Sequence, residues 1–284
     1  MRKRFTIGVI IDSNKLGDEE RAFLRVAKRN NIEIVFFNAN QEILEKELEQ
    51  KAKRCDIIYN DTAEYIALEL AKTLEELGKK VIDCTKIYYY QEDKWMFFLH
   101  CKRHKIPTPE TILLSDNLEA AKQELEEFNH WPIILKRVYG ERGEFVAKAN
   151  NLQEAVSKIL GFWKKGNERL PIIAQEFAPS DSYRVTVIDG RIMQTAIKRG
   201  KQWKKTGCHS MKFGRFKIDS KLKKIVDKTI KSSKIDVCGL DLLKKDGKWL
   251  LLEINAEPSF QFFDSQRDKL IQAVFQLLKK RSPK

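Results

Sequence analysis

A chain of 284 residues, 42% of them hydrophobic and 33% charged, holds enough apolar material for two domains with real cores, and none of its apolar runs approaches membrane-spanning length. Its five cysteines are scattered, odd in number and free of any CxxC spacing, which argues against a disulfide scaffold and for reduced thiols in a cytoplasmic setting. The net charge of +14 is one-sided: residues 1–92 hold 16 Lys+Arg against 17 Asp+Glu, so residues 93–284 hold 38 against 23, a net of +15.

The apolar run at 5–11 follows Arg2, Lys3 and Arg4 but is too short for a signal peptide and ends at Asp12, so it reads as a first strand. Further strands are predicted at 33–37, 56–59 and 80–82. Helical periodicity covers 17–30, 41–54 and 63–77, the last with Ala67, Leu70, Ala71 and Leu74 on one face and Gly78 as its stop. Such alternation predicts a small parallel sheet with helices on both sides. No GxGxxG follows the first strand, so the dinucleotide fingerprint is absent.

From Asp93 the pattern turns to α+β. Helices are predicted at 93–105, ending before Pro107, and at 117–128. Pro132 opens an apolar strand through Val138; a helix at 151–163 and a strand at 172–177 follow. Asp189-Gly190 turns a hairpin between 183–188 and 191–198, a lysine-rich helix spans 219–234, and an amphipathic helix covers 266–280. His100 and His104 stand at i and i+4 without a third ligand at any recognised zinc spacing.

The chemistry concentrates at a second hairpin, around Asp246-Gly247. Glu253 and Asn255 are two apart on its second strand and share a face. With Asp241 on the first strand they offer two carboxylates and an amide oxygen, the hard donors Mg²⁺ takes when it also holds phosphates; a polar strand end is the alternative. A two-residue turn would set Asp241 opposite Leu252, on the wrong face. A three-residue loop with its bulge at the glycine end would set it opposite Glu253, and this second register is predicted. Lys136 ends a buried strand, where an ammonium needs an anionic partner such as phosphate. Gly140 and Gly143 follow closely, as in a loop whose bare N–H groups approach phosphates, or as in a plain hairpin turn.

In order, Asp93-Lys94-Trp95, Ile106-Pro107-Thr108-Pro109, the 132–136 strand with Gly140 and Gly143, Gln175-Glu176-Phe177 and the Asp241, Glu253, Asn255 set resemble the ATP-grasp superfamily. They resemble its RimK-like glutamate-ligase branch in particular, which is also similar to glutathione synthetase. The resemblance covers about residues 80–280. It implies an ATP-grasp domain at 93–284, with a small lid subdomain at about 106–178, behind an N-terminal Rossmann-like domain at 1–92. It implies that Lys94 and Lys136 reach the phosphates of ATP, with Gly140 and Gly143 in the covering loop. The hinge Gln175, Glu176, Phe177 and Ala178 would read the adenine edge through its main chain. Asp241, Glu253 and Asn255 would hold Mg²⁺, or Mn²⁺ in its place.

Arg184 and Lys204 are the implied catalytic cations. Lys204 stands where the family has an arginine, with Thr206 near the place of its asparagine. Three departures qualify the resemblance: Phe145 replaces a loop glycine, Ser182 the acid of an Asp-x-Arg triplet beside Asp181, and Ala256-Glu257-Pro258-Ser259-Phe260 a turn of small residues. The resemblance implies an ATP-dependent carboxylate–amine ligase joining an amino acid such as glutamate to an acidic peptide or cofactor tail, with no membrane partner. Two alternatives stay open: a nucleotide-binding but catalytically degenerate protein, and a basic RNA- or ribosome-associated module. The run 198–205 reads as a stacking-plus-phosphate surface or as a solvated loop, and the resemblance offers a third reading, basic residues that neutralise the γ-phosphate or the acyl phosphate.

Overall fold

The structure is a computed structural model describing residues 4–13, 15–41, 45–62, 64–87, 93–140, 145–166, 168–200, 203, 213–256, 258 and 260–283. Strands β1 (Phe5–Ile11), β2 (Ile32–Asn38), β3 (Ile57–Asn60) and β4 (Val81–Ile82) form a parallel sheet in the order β2-β1-β3-β4. Central β1 reads FTIGVII, near-continuously apolar as a strand covered on both faces must be. Helices α2 (Glu45–Arg54) and α3 (Tyr65–Glu76) cover one face, packing Leu48, Ala52, Leu70 and Leu74 on Ile10 and Ile58. Gly78 ends the α3 segment at φ 78°, the left-handed conformation glycine adopts at no steric cost.

The other face carries Ile7, Val9, Ile57 and Tyr59 under α1 (Asp18–Arg29) and α8 (Asp264–Arg281). Helix α8 differs from the amphipathic stripe predicted for it. Leu270, Ile271, Val274, Phe275, Leu277 and Leu278 are all buried, a wider arc than the roughly 100° stripe of a surface helix. It wedges between the first sheet and Ile188 and Val237 of the third. Phe23 gathers the rings of Tyr59, Phe260 and Phe275 at 6.1, 5.9 and 5.9 Å.

The second sheet is antiparallel, in the order β5-β8-β6-β7: β5 (Thr111–Leu114), β8 (Ile172–Glu176), β6 (Ile133–Arg137) and β7 (Val146–Ala149). Helices α5 (Leu118–Phe128) and α6 (Leu152–Lys165) close its core. Both edge strands, β5 and β7, have four residues, too few for an alternation to register in the sequence.

The third sheet runs β10-β9-β11-β12, from β9 (Ser182–Ile188), β10 (Arg191–Lys198), β11 (Val237–Lys245) and β12 (Lys248–Asn255). Helices α4 (Lys94–Arg103) and α7 (Ser220–Ser233) cover the face of Val185, Val187, Leu240, Leu242, Leu251 and Ile254. Strand alternation turns Arg184, Asp241 and Glu253 to the opposite face.

Asp241 does pair with Glu253, but by a different device from the one predicted. The loop has two residues, Asp246 and Gly247, at φ 49° and 72°, and Lys245 pairs directly with Lys248. The register slips between Asp241 and Leu242, where Leu252 is the extra residue of a β-bulge, the irregularity that re-aims side chains beside functional sites.

Among the described residues no helix is long and apolar enough to cross a membrane. Cys55, Cys84, Cys101 and Cys238 are free thiols, and Cys208 lies outside the described residues.

Candidate active site

Lys136, last but one in β6, is 9% exposed. Its Nζ donates to Gln175 Oε1 at 2.8 Å, Gln175 Nε2 donates to Thr111 Oγ1 at 2.9 Å, and Thr111 Oγ1 donates to the Pro109 carbonyl at 2.9 Å. The direction of this chain is fixed from its far end. A carbonyl only accepts, so the threonine hydroxyl donates to it, accepts from the amide NH₂, and leaves the amide oxygen for the ammonium. Thr111 is the positioning residue the sequence did not disclose, because it sits on a short edge strand with no motif of its own.

Burial pushes the Lys136 ammonium down to about 8, with Lys94 adding to the depression while Glu253 and Asp241 oppose it. The folded value lies below the unfolded one, so the charged form costs stability below about pH 8 and the cost is relieved as pH climbs toward 10.5. An oxyanion bound at Nζ would restore the ammonium. ATP binding above pH 8 is therefore expected to take up close to one proton, read by calorimetry in buffers of different ionisation enthalpy; uptake of none at pH 8.5 would contradict a Lys136–phosphate contact.

Lys94 opens α4, whose N-cap Asp93 accepts from the Met96 N–H at 2.8 Å and from the Tyr139 hydroxyl at 3.1 Å. Lys94 Nζ donates to the Gly140 carbonyl at 2.7 Å, where the glycine loop begins. Gly140 has φ 138° and open space around its α-carbon, so its backbone is bare on that side. Gly143 lies outside the described residues. Phe145, at the loop's other end, packs edge-on against Phe162 at 5.7 Å with the Arg137 guanidinium 3.6 Å from its ring centroid. In place of a flexible glycine the loop has an anchored exit.

Facing Lys136, β11 and β12 present the acids. Desolvation raises the Glu253 carboxyl above its usual range, and the like charge of hydrogen-bonded Asp241 adds to it; Lys136 and Lys94 pull the other way. Asp241 is held by a two-pronged Arg184, Nε to Oδ1 at 2.5 Å and Nη2 to Oδ2 at 2.7 Å, and accepts from Asn255 Nδ2 at 3.2 Å. Gly239 makes room for this pair, since a Cβ there would lie 3.2–3.4 Å from Arg184. Two adjacent buried carboxyl groups with an amide beside them offer the hard oxygen donors that a divalent cation takes. Among the described residues no group of three His, Cys, Asp or Glu converges, here or elsewhere, so the third donor of this set is the Asn255 amide; buried His100 is hydrogen-bonded to Ser232 at 3.0 Å.

The residues predicted as a hinge lie at the end of β8 and just beyond it. The N–H groups of Glu176 and Phe177 donate to the Glu110 and Pro132 carbonyls at 2.9 and 3.2 Å, so neither N–H is open to a base nitrogen without an exchange of bonds. The Glu176 carboxylate pairs with Lys245, and Lys148 Nζ lies 4.2 Å from the centroid of the half-buried Phe177 ring. Neither lysine was singled out by motif. Asp181, beside Ser182, meets Arg199 at 3.9 Å. Lys204 and Thr206 lie outside the described residues, as do Glu257 and Ser259. Phe260 points into the N-terminal core rather than the site.

The RimK-like ATP-grasp domain family matches residues 91–280 of the chain. The chain is similar to the coenzyme gamma-F420-2:alpha-L-glutamate ligase of Methanococcus maripaludis, 27% identical over 217 residues, 75% of this chain and 75% of that protein. It is similar also to the alpha-aminoadipate–LysW ligase LysX of Saccharolobus solfataricus, 28% identical over 202 residues, 69% and 72% of the two. The RimK domain ATP-grasp protein of Sphaerobacter thermophilus shares its fold with a TM-score of 0.79 at 15% identity, over 96% of this chain and 99% of that one.

Proposed function

The chain belongs to the RimK-like ATP-grasp family and is an ATP-dependent ligase forming C–N bonds, and from that premise we propose that it joins the amine of an amino acid such as glutamate to a carboxylate of an acidic acceptor, a peptide or a cofactor tail. The observation that carries this reading is the meeting of Lys136 and Lys94 with Asp241 and Glu253 around one desolvated point. The names of the relatives support the substrate classes, one coupling glutamate to a coenzyme and the other acting on alpha-aminoadipate and LysW.

The acceptor carboxylate attacks the γ-phosphorus of ATP, releasing ADP and leaving an acyl phosphate. The amine nitrogen then attacks the acyl carbon, phosphate departs, and the amine's proton leaves to solvent as the amide forms. In this reading Lys136 and Lys94 draw the phosphates down, and the bare backbone at Gly140 lets the loop approach them. Asp241, Glu253 and Asn255 would hold Mg²⁺, which would supply neutralisation of phosphate charge. Arg184, now engaged by Asp241, lies on the same face for the developing charge, with Lys204 as its assigned companion.

ADP release measured over a panel of amino acids and acidic acceptors, with mass spectrometry of the products, tests the proposal. The expected result is ADP formation that requires both partners and an acceptor heavier by one amino-acid residue. Tight ATP binding with no ADP release across the panel would favour the degenerate, binding-only alternative.

A further inference from the structure

The relay behind Lys136 lies on one face of the second sheet. Thr111 of β5 stands opposite Gln175 of β8, Gln175 stands opposite Ile134 of β6, and Lys136 is two residues further along β6 on that same face. All three polar side chains are buried, and Ile134 and Ile173, buried on the same face, stand among them. Lys136 Nζ has three donors, and among the described residues Gln175 Oε1 takes one of them at 2.8 Å. Two donors are left for the oxygens of a phosphate.

The far end of the relay is tied to the third sheet. The Pro109 carbonyl that accepts from Thr111 lies two residues beyond Pro107, whose own carbonyl accepts from the Leu251 N–H at 2.8 Å. Leu251 is on β12, two residues before Glu253. Proline locks φ at both ends of the Pro107-Thr108-Pro109 span, which makes it a short, stiff strut. Through strut, hydroxyl and amide, the position of Lys136 is referred to the strand that carries Glu253.

The resemblance places Gln175 in a hinge that reads adenine through its main chain. Here that main chain is laddered to β5 on one side and β6 on the other, and the side-chain amide is engaged at both its oxygen and its nitrogen. Thr111 decides which end of the amide faces Lys136. With the hydroxyl present it is the oxygen. Without it nothing in the relay distinguishes the two ends, and the amide can turn its NH₂ on the ammonium. The ammonium, carried on a flexible stem, would also lose its preset direction, and the ligand would then bear the cost of ordering it. Resting on the reading above that Lys136 meets the phosphates of ATP, we propose that Gln175 and Thr111 are positioning residues for that lysine, and that Gln175 serves the phosphates rather than the base.

Calorimetric titration of the full chain with MgATP tests this and needs neither substrate of the ligation. Thr111→Val is expected to raise the dissociation constant about tenfold, the scale of losing a hydrogen bond to a charged group. Thr111→Ser, which keeps the hydroxyl, should stay within about twofold of wild type. Gln175→Leu should also weaken binding about tenfold. The double variant Thr111→Val/Gln175→Leu should then bind no more than about twofold worse than Gln175→Leu, because the threonine acts through the glutamine. A merely structural role would lower the fraction of molecules that bind and leave the affinity of that fraction unchanged. Wild-type affinity in either single variant, a lower binding fraction alone, no recovery in Thr111→Ser, or the additive loss of about a hundredfold in the double variant would each overturn the proposal. Unchanged affinity in the variants beside ADP release by the wild type would refute positioning and spare the ligase; the expected shifts in affinity without any ADP release would do the reverse.

Discussion

Lys136→Ala and Glu253→Gln are each expected to lower the rate of ADP formation about a thousandfold, the upper range for removing one preorganised group that meets developing charge. What distinguishes this from structural damage is the sign of the stability change. Lys136 is held charged at neutral pH against desolvation, a cost of about 3 kcal/mol from a pKa pushed from 10.5 to about 8. Its truncation relieves that cost while losing the packing of the stem and the bond to Gln175, so thermal stability should change little. Glu253→Gln keeps the shape and removes the repulsion with Asp241, so it should be neutral or stabilising. Activity measured beside thermal melts separates a chemical role from a structural one. Wild-type turnover in either folded variant would refute the site, and lost activity that tracks unfolding would make the residue structural.

Phe275→Ala is expected to destabilise the protein by about 3–5 kcal/mol, the usual cost of emptying a packed aromatic site. Phe275 is 1% exposed and touches the cluster of Phe23, Tyr59 and Phe260 that joins α8 to the first sheet. Residues 1–92 expressed alone should fail to unfold cooperatively and should bind a hydrophobic dye, because Ile7, Val9, Ile57 and Tyr59 would lose the cover of α8. Denaturant titration of the variant and of the fragment measures both effects. A fragment with a cooperative transition of native steepness would show that α8 is dispensable to the sheet.

The long elements were legible because burial writes a period into the sequence. The ladder that sets Asp241 against Glu253 was legible in outcome but not in cause. The slip does leave a trace: Trp249 and Leu251 face inward, then Ile254 and Ala256, an alternation whose parity changes once, at Leu252. Thr111 was invisible because a hydroxyl that orients an amide that orients a lysine leaves no trace at any spacing. Phe145 and Phe260 read as losses from a motif, yet each is an anchor whose ring points away from the site into a core. Departures from a pattern were legible as departures; where the new side chain would go depended on the third dimension.

The wedge of α8 also bears on how the chain comes to be folded. The first sheet is complete in sequence at Ile82, and the helix that closes it begins at Asp264. At ribosomal rates of about 5–20 residues per second, roughly 10–40 s separate the two. Through that interval the part of the apolar face that α1 does not cover stands open at the tunnel exit, and its closure is a contact of very long sequence separation, hence slow. The sheet of β1–β4 is thus the part of the chain that a chaperone would meet unclosed for longest.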